Sequence, residues 1–502
     1  MIKRIAQALG FASILLLPNY IDLTSSAGDE RMRSPVPLTR VALAQLADLA
    51  IVAIVFFCLM AILRKAGFWP KLRWGMMALF PPFLLIQNLN VFPFNVPHVA
   101  VLAASVLWIG LLVFFILRMP GVAARLRLFG SAVLAGFAFF ALVVVFQLVR
   151  AARWQPGPRA FTAAISAPPS TKPRIVWIIF DELSYKAAFE SRDTSLGLPN
   201  FDRLRDIGTL YTNVTPIDYW TIHVIPSLLS GRKVTNVAYT PDNRFLVQTR
   251  DSPQWHRFDA DGALIGMAKQ RGMTTSIVGW YLPYCAVFAD TATECFWDNH
   301  DAEDRGPTLS SASFAANAWF PLRILTEKYF APRKAWADIT AWDSGGHIAS
   351  VKEVSQHALQ IIASSNADLI YIHLPSPHPP AFWDRRSDTF ASGGSYLDSL
   401  AYTDRILGQV LDLLQNQTRW PATTLIVQGD HSWRTHMWRP QPGWSAEDER
   451  ISHGGQWDAR PLLLIHAAGQ ENSATVTTPM NLMYVHDFVA GQIEAQGRLA
   501  KP

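Results

Sequence analysis

The order of apolar and polar residues divides the chain in two. Residues 41–63, 75–92, 98–117 and 128–149 each form a stretch of roughly 18–23 mostly apolar residues, enough to cross a hydrocarbon core of about 30 Å. A shorter stretch, 6–21, is interrupted by Pro18 and Asn19. Its poor small-residue cleavage pattern, and the membrane segments behind it, make it a fifth span rather than a cleaved signal peptide. Lys3 and Arg4, then Arg64, Lys65, Lys71 and Arg73, then Arg118, Arg125 and Arg127 fall in alternate connections. The positive-inside rule makes those connections cytoplasmic, and an odd number of spans exports everything after Arg150. The 22–40 connection fits least well, because Arg31, Arg33 and Arg40 accompany Asp22, Asp29 and Glu30. Asp48, inside the second span, either faces the bundle or serves a function, and an intramembrane carboxylate favours the second.

Residues 151–172 are rich in Pro, Ala, Ser and Arg, lack apolar periodicity, and read as a linker between a membrane domain (1–150) and an exported domain (173–502). In the exported part the pattern alternates. Short continuous apolar runs at 175–180, 275–278, 369–372, 425–427 and 462–465 predict strands buried on both faces. Between them, Tyr396, Leu400, Thr403, Leu407, Val410 and Leu414 recur at helical spacing. Such alternation predicts an α/β domain with a mainly parallel sheet and helices on both faces.

Composition adds three points. Half of the residues are apolar and 17% are charged, in keeping with membrane segments. The net charge of +5 is largely that of the topology-setting loops, and no basic stripe interleaved with aromatics argues for nucleic acid. Cys58 lies in a span as a small apolar residue, whereas Cys285 and Cys295 are the two cysteines of the exported part and would close a short loop if oxidised.

Ligands of a parallel α/β sheet bind beyond the carboxyl ends of its strands. Asp181 and Glu182 follow the first predicted strand, Gln428-Gly-Asp430-His431 follows the fourth, and His373 with Pro377-His378-Pro-Pro380 follows the third. One acid after a strand is ordinarily a cap or a turn former. Two strands delivering acids to one edge, one with a histidine beside it, suit a nitrogen and oxygen metal site. The remaining element is Thr221-Ile-His-Val-Ile-Pro226-Ser-Leu-Leu-Ser-Gly231-Arg232. Its Pro can open a helix and its Gly can end it, so Thr221 stands at or just before a helix N-terminus, where a bound anion is stabilised. Thr221 is then either a plain cap or a nucleophile. With Asp181, Asp430 and His431 it would complete a four-coordinate site, and the metal would lower the hydroxyl pKa.

In order along the chain, these pieces, together with Leu198-Pro-Asn-Phe-Asp-Arg-Leu204, Tyr211-Thr-Asn213 and Asp404-Arg-Ile-Leu-Gly408, resemble the sulfatase-like branch of the alkaline phosphatase superfamily. Five spans followed by such a domain further resemble the membrane phosphoethanolamine transferases and the phosphoglycerol transferases of the lipoteichoic acid synthase type. The resemblance implies Thr221 as nucleophile, with Asp181, Asp430 and His431 holding a divalent metal and Glu182 as the less certain acid. It implies a phospholipid donor, a glycan or lipid acceptor, and a multi-pass protein of the bacterial inner (cytoplasmic) membrane with its catalytic domain on the periplasmic or extracellular side. Nothing in the sequence bears on the oligomeric state.

True sulfatases require Cys or Ser at the nucleophile, followed by Pro and Arg, to make formylglycine. Here His223 and Ile225 stand where that Pro and Arg would be, which points to phosphorus rather than sulfur. A tethered phosphodiesterase, phosphonate hydrolase or sulfate ester hydrolase is the alternative. Asp and His ligands suit zinc or manganese better than calcium or magnesium. His378 resembles the histidine that faces the leaving group, and His453, in Ser452-His-Gly-Gly455, resembles the late His or Lys of relatives. His436 and His373 compete for those roles. Arg232 is a candidate for the phosphate or for structural support, and Trp280 and Tyr281 are an apolar wall or core packing.

Overall fold

The computed structural model describes residues 1–24, 38–87, 98–155, 157–162, 173–240, 244–258, 262–298, 313–315, 317–319, 332–441 and 443–499. They divide into two compact units, each considered by itself.

The first unit is helical: α1 (Ile2–Thr24), α2 (Thr39–Lys65), α3 (Trp69–Gln87), α4 (His98–Arg118), α5 (Pro120–Gly136) and α6 (Ala138–Arg153). Among the described residues, three helices are long and apolar enough to cross a membrane, Thr39–Lys65, Val99–Arg118 and Pro120–Arg153. The expected span count of about five is thus not confirmed among the described residues. Lys3, Arg4, Pro18 and Asn19 fall within α1, and α3 carries Lys71, Arg73, Pro81 and Pro82. The end of the expected 75–92 span and most of the 22–40 connection lie outside the described residues. Large apolar side chains on α2 and α4, among them Ile54, Ile62, Leu102 and Phe114, are exposed, as a lipid-facing surface requires. Asp48 is buried in this unit, as are Gln7 and Gln45.

The second unit is built on a nine-stranded sheet: β1 (Ala160–Thr162), β2 (Arg174–Phe180), β3 (Thr209–Tyr211), β4 (Thr275–Trp280), β5 (Glu294–Asp298), β6 (Leu369–Leu374), β7 (Thr423–Gly429), β8 (Leu463–His466) and β9 (Ala474–Val476). Its order is β1-β5-β4-β6-β2-β7-β8-β3-β9. The centre, β5-β4-β6-β2-β7, is parallel, while β1 and β8 pair antiparallel with their neighbours. All five runs expected as strands are strands. β2, β4, β6 and β7 are buried along their whole length, which is why they read as unbroken apolar runs. The expected helix over 396–414 is α11 (Tyr396–Gln415), following α7 (Pro199–Ile207), α8 (Thr221–Ser230), α9 (Tyr284–Val287) and α10 (Pro332–Ser364). Leu400, Leu407, Val410 and Leu414 of α11 are fully buried in the core.

The paired motifs around Asn200 and Asp404 have a structural reason. Asp404 of α11 accepts hydrogen bonds from the backbone N–H groups of Asn200 and Phe201 and from the Asn200 side chain, at 2.8–3.3 Å, capping the first turn of α7. Gly408 lies so close to Asn200 that a Cβ would stand 2.6 Å from its amide. Helix–helix docking thus fixes both sequences.

Candidate active site

Two adjacent parallel strands deliver the acids. Phe180 of β2 is in register with Gly429 of β7, so Asp181 and Asp430 leave the sheet side by side. Gly429 is required there, because a Cβ would approach the Leu183 carbonyl oxygen to 2.5 Å. Glu182 has φ 62°, a left-handed conformation rare outside glycine. This bend is held by the Tyr396 hydroxyl, which donates to the Glu182 carbonyl at 2.7 Å, and by the Glu182 N–H, which donates to Asp430 Oδ1 at 3.1 Å. Of the two neighbouring carboxylates, Asp181 meets Thr221 and Glu182 meets Arg434.

Helix α8 supplies the hydroxyl. It starts at Thr221, its N-cap is Trp220, and it stops at Gly231 with φ 68°. Pro226 stands inside the helix and does not open it, contrary to the sequence expectation. Asp218 organises the approach by accepting from the N–H groups of Tyr219 and Trp220, and lies 3.4 Å from His223. Thr221 is not the cap, and its hydroxyl does something else. Thr221 Oγ lies 3.1 Å from Asp181 Oδ2 and 3.2 Å from His431 Nε2. His431 Nδ1–H donates to the Ser432 carbonyl at 3.1 Å, which leaves the Nε2 lone pair towards Thr221.

Asp181, Asp430 and His431 are essentially without solvent exposure. Burial pushes the Asp181 carboxyl up to about 7 and that of Asp430 up to about 8, the latter helped by the charge of Asp181. Burial, and then the nearby Arg434 guanidinium, hold the His431 imidazole well below its usual range, so it is neutral. Asp181 Oδ1 and Asp430 Oδ2 have no hydrogen-bond partner among the described residues, and His431 Nε2 lies 3.1 Å from Asp430 Oδ2. Two carboxylates and an imidazole buried with unspent lone pairs converging beside a hydroxyl fit a divalent cation.

Glu182 turns away from this cluster. Both of its oxygens are engaged by Arg434, through the Nε at 2.6 Å, the NH2 group and the backbone N–H at 3.1 Å, and by Trp438 Nε1 at 2.9 and 3.0 Å. Asp181, Glu182 and His378 do form a second group close enough to share an ion, but a fixed guanidinium fills its cationic place. Arg434 was not singled out in the sequence; the signal is the buried Glu182, which needs a cation. Arg434 NH2 also donates to His378 Nε2 at 3.2 Å, so the His378 proton sits on Nδ1, an atom with no hydrogen-bond partner among the described residues. Burial, with Arg434 and His347 as further causes, keeps His378 neutral.

Of the other candidates, His373 on β6 joins the cluster, in one ion-sized group with Asp181 and Asp430. Burial lowers its pKa to about 4. Trp280 is buried against the rings of His347, His373 and His378 at 5.2–6.3 Å, so it braces the histidines. Its neighbour Tyr281, at φ 74°, is partly buried beside the core. Arg232 is exposed at the far end of α8, about 15 Å along the helix from Thr221, and is not at the site. His453 is exposed on a turn at φ 50°, and His436 is exposed against Trp457. Neither is gathered around Thr221; Arg434 and His347 stand near His378 instead. The structure joins Cys285 to Cys295 in a disulfide across α9 and β5.

A search of curated proteins returned no match. Similar solved structures include the PsFucS1 sulfatase from Pseudoalteromonas sp., 12% identical with a TM-score of 0.41 over 65% of this chain and 68% of that one. The phosphonate monoester hydrolase of Agrobacterium radiobacter is 12% identical, with a TM-score of 0.35 over 64% and 74%. An alkaline phosphatase superfamily protein from Vibrio parahaemolyticus is 13% identical, with a TM-score of 0.38 over 66% and 72%. These likenesses are too weak to carry chemistry. Residues 173–485, more than half of the chain, match the family described as Sulfatase, and the chain belongs to that family of enzymes acting on sulfate or phosphate esters.

Proposed function

We propose that the protein is a membrane-anchored, metal-dependent phosphotransferase that moves a phospholipid head group, phosphoethanolamine or phosphoglycerol, through Thr221 to a glycan or lipid of the cell envelope. The observation that carries this reading is the Thr221 hydroxyl held between Asp181 and His431 at 3.1 and 3.2 Å. Asp181, Thr221, Asp430 and His431 would hold the ion. When bound, it lowers the pKa of the hydroxyl and neutralises the oxygens of the ester. A threonine cannot become formylglycine, which supports phosphoryl over sulfuryl chemistry.

The hydroxyl proton of Thr221 passes to water as Oγ attacks phosphorus and the bond to the diacylglycerol oxygen breaks; that oxygen takes a proton from water and accepts a hydrogen bond from Nδ1–H of the neutral His378. The acceptor hydroxyl then attacks phospho-Thr221 and gives its proton to water, and the Thr221 oxygen leaves and is reprotonated. Arg434 anchors His378 and Glu182 throughout, holding the proton on the correct nitrogen. The apolar helices support a membrane anchor near a lipid donor, with the catalytic unit on the outer side of the bacterial inner membrane as the distribution of Lys and Arg suggests.

The test is intact-mass analysis of the metal-loaded, detergent-purified chain after exposure to labelled phospholipid. Release of diacylglycerol and one head-group phosphate on the Thr221 peptide are expected, both absent in Thr221→Ala. Neither product from the unmodified enzyme would sink the transferase reading. Diester hydrolysis without transfer to any acceptor would assign the site to a phosphodiesterase.

A further inference from the structure

The cluster around Thr221 contains one more donor than the four residues assigned to the ion. His373, on β6 next to β2, directs Nε2 to within 3.7 Å of Asp181 Oδ2. That separation is too long for a hydrogen bond, and Nε2 is buried with no hydrogen-bond partner among the described residues. Donors bound to one zinc at about 2.0–2.2 Å stand roughly 3–3.7 Å apart, which is the spacing seen here. It is also the spacing of Thr221 Oγ from Asp181 and His431, and of His431 from Asp430.

The other ring nitrogen is fixed. His373 Nδ1 lies 2.8 Å from the Tyr284 hydroxyl, which is itself 3.4 Å from the Tyr371 hydroxyl. In the tautomer that a metal-bound ring requires, Nδ1–H donates to the phenol oxygen and the lone pair is on Nε2, the atom 3.7 Å from Asp181 Oδ2. Metal-bound histidines generally have such an anchor on the second nitrogen. Tyr284 is held from two sides. Its ring covers Gly279 so closely that a Cβ there would meet it at 2.0 Å, and the next residue, Cys285, is bonded to Cys295 of β5.

We propose that His373 is a fifth ligand of the ion and that Tyr284, clamped by Gly279 and the disulfide, is the positioning residue that sets its tautomer. This rests on the metal reading given above. It makes the donor set two imidazoles, two carboxylates and a hydroxyl, a composition that selects zinc or another late transition metal over calcium and magnesium.

The experiment uses the full chain in detergent, stripped with a chelator and titrated with zinc against a chromophoric competitor, with X-ray absorption at the zinc edge counting imidazoles. The wild-type protein is expected to show two imidazoles. His373→Gln should show one and bind zinc at least 10- to 100-fold more weakly. Tyr284→Phe should lose about 10-fold in affinity while keeping two imidazoles and an unchanged melting temperature. A wild-type spectrum with one imidazole overturns the assignment without recourse to any variant that might misfold, as does unchanged zinc affinity in His373→Gln. Unchanged affinity in Tyr284→Phe removes the positioning role. A wild-type chain that binds no zinc, manganese or other divalent ion overturns the metal reading beneath it, a distinguishable result.

Discussion

Arg434→Gln tests the division of labour between the two adjacent acids. In the folded protein Glu182 is wholly buried and accepts two side-chain hydrogen-bonding groups and one backbone N–H of Arg434, itself almost fully buried. Unit charges about 4 Å apart interact by about 4 kcal/mol at an effective dielectric constant near 20. Removing one member of a buried pair typically costs about 3–5 kcal/mol, since the other is left uncompensated. Trp438 Nε1 and the backbone N–H of residue 434 remain as donors in the variant, which places the expected loss at the lower end, about 3 kcal/mol. The thermal midpoint of the catalytic unit, whose size gives an unfolding entropy of about 0.7 kcal/mol/K, should fall by roughly 4 °C. Glu182→Gln alone should also destabilise, whereas Glu182→Gln combined with Arg434→Gln should recover most of the loss. Thermal unfolding of the full chain in detergent, followed by tryptophan fluorescence, gives all four corners of the double-mutant cycle. Additive losses, with a coupling below about 0.5 kcal/mol, would refute the claim that Glu182 is neutralised by Arg434 rather than by an ion. Metal content gives a second readout, since the unmodified protein should not load the Asp181, Glu182 and His378 group with a second ion.

Metal affinity should depend steeply on pH. Asp181 and Asp430, raised to about 7 and about 8, hold protons in the metal-free fold that an incoming cation must displace, so affinity falls as pH falls through that window. Each such proton contributes up to about tenfold per pH unit, giving a loss of roughly 100-fold between pH 8.5 and 6.5. The same raised values mean that the stability these two carboxyls contribute to the metal-free fold is lost as pH rises from about 4 to about 8. His373, His378 and His431 have lowered pKa values, and their contribution is lost only as pH falls below about 6.5. Zinc titration by calorimetry in buffers of different ionisation enthalpy reads the protons directly, and release that does not change with pH would contradict the burial argument. Gly429→Ala should abolish metal binding while the helical unit stays folded, since its Cβ would meet the backbone carbonyls of Leu183 and His431 at 2.5 and 3.1 Å; metal content at wild-type level would show that the strand end yields. Trp457 is exposed against Tyr219, whose carbonyl accepts from Arg434, and against His436, and is expected to contact a large substrate. Trp457→Ala should raise KM for a phospholipid about 2- to 10-fold and leave a small aryl phosphodiester unaffected, and equal effects on both would remove it from the substrate surface.

The sequence made the buried strands legible because a strand covered on both faces has no choice but to be apolar, and β2, β4, β6 and β7 are all of that kind. The convergence of Asp181 and Asp430 was legible for the same reason, since parallel strands send their carboxyl ends to one edge. The edge strands β1 and β9, and β3 beside β9, each three residues long, leave too little periodicity to read. Arg232 and Pro226 misled because position along a helix was inferred from residue type. The helix extends on both sides of Pro226, which carries Arg232 to the opposite end from Thr221. Arg434 was hidden because its role depends on the turn of Glu182 into a left-handed conformation, which no local pattern announces.

In the proposed function, Asp181 rather than Glu182 holds the ion and Thr221 is the nucleophile, and the backbone turn at Glu182 bears on both. A threonine hydroxyl is a poor nucleophile unless its proton is removed, so the site needs strong local positive charge at Oγ and no competing cation that would draw the substrate elsewhere. The φ of 62° at Glu182 commits the nearer carboxylate to Thr221 at 3.1 Å and ties the other to Arg434. The guanidinium is thereby neutralised while still reaching His378, keeping that imidazole neutral and its proton on the nitrogen that has no hydrogen-bond partner among the described residues. One strained residue would thus separate the proposed place for an ion from the proposed place for the leaving group. Relaxing it with Glu182→Gly would remove the anchor of Arg434, free the His378 tautomer and blur both functions together.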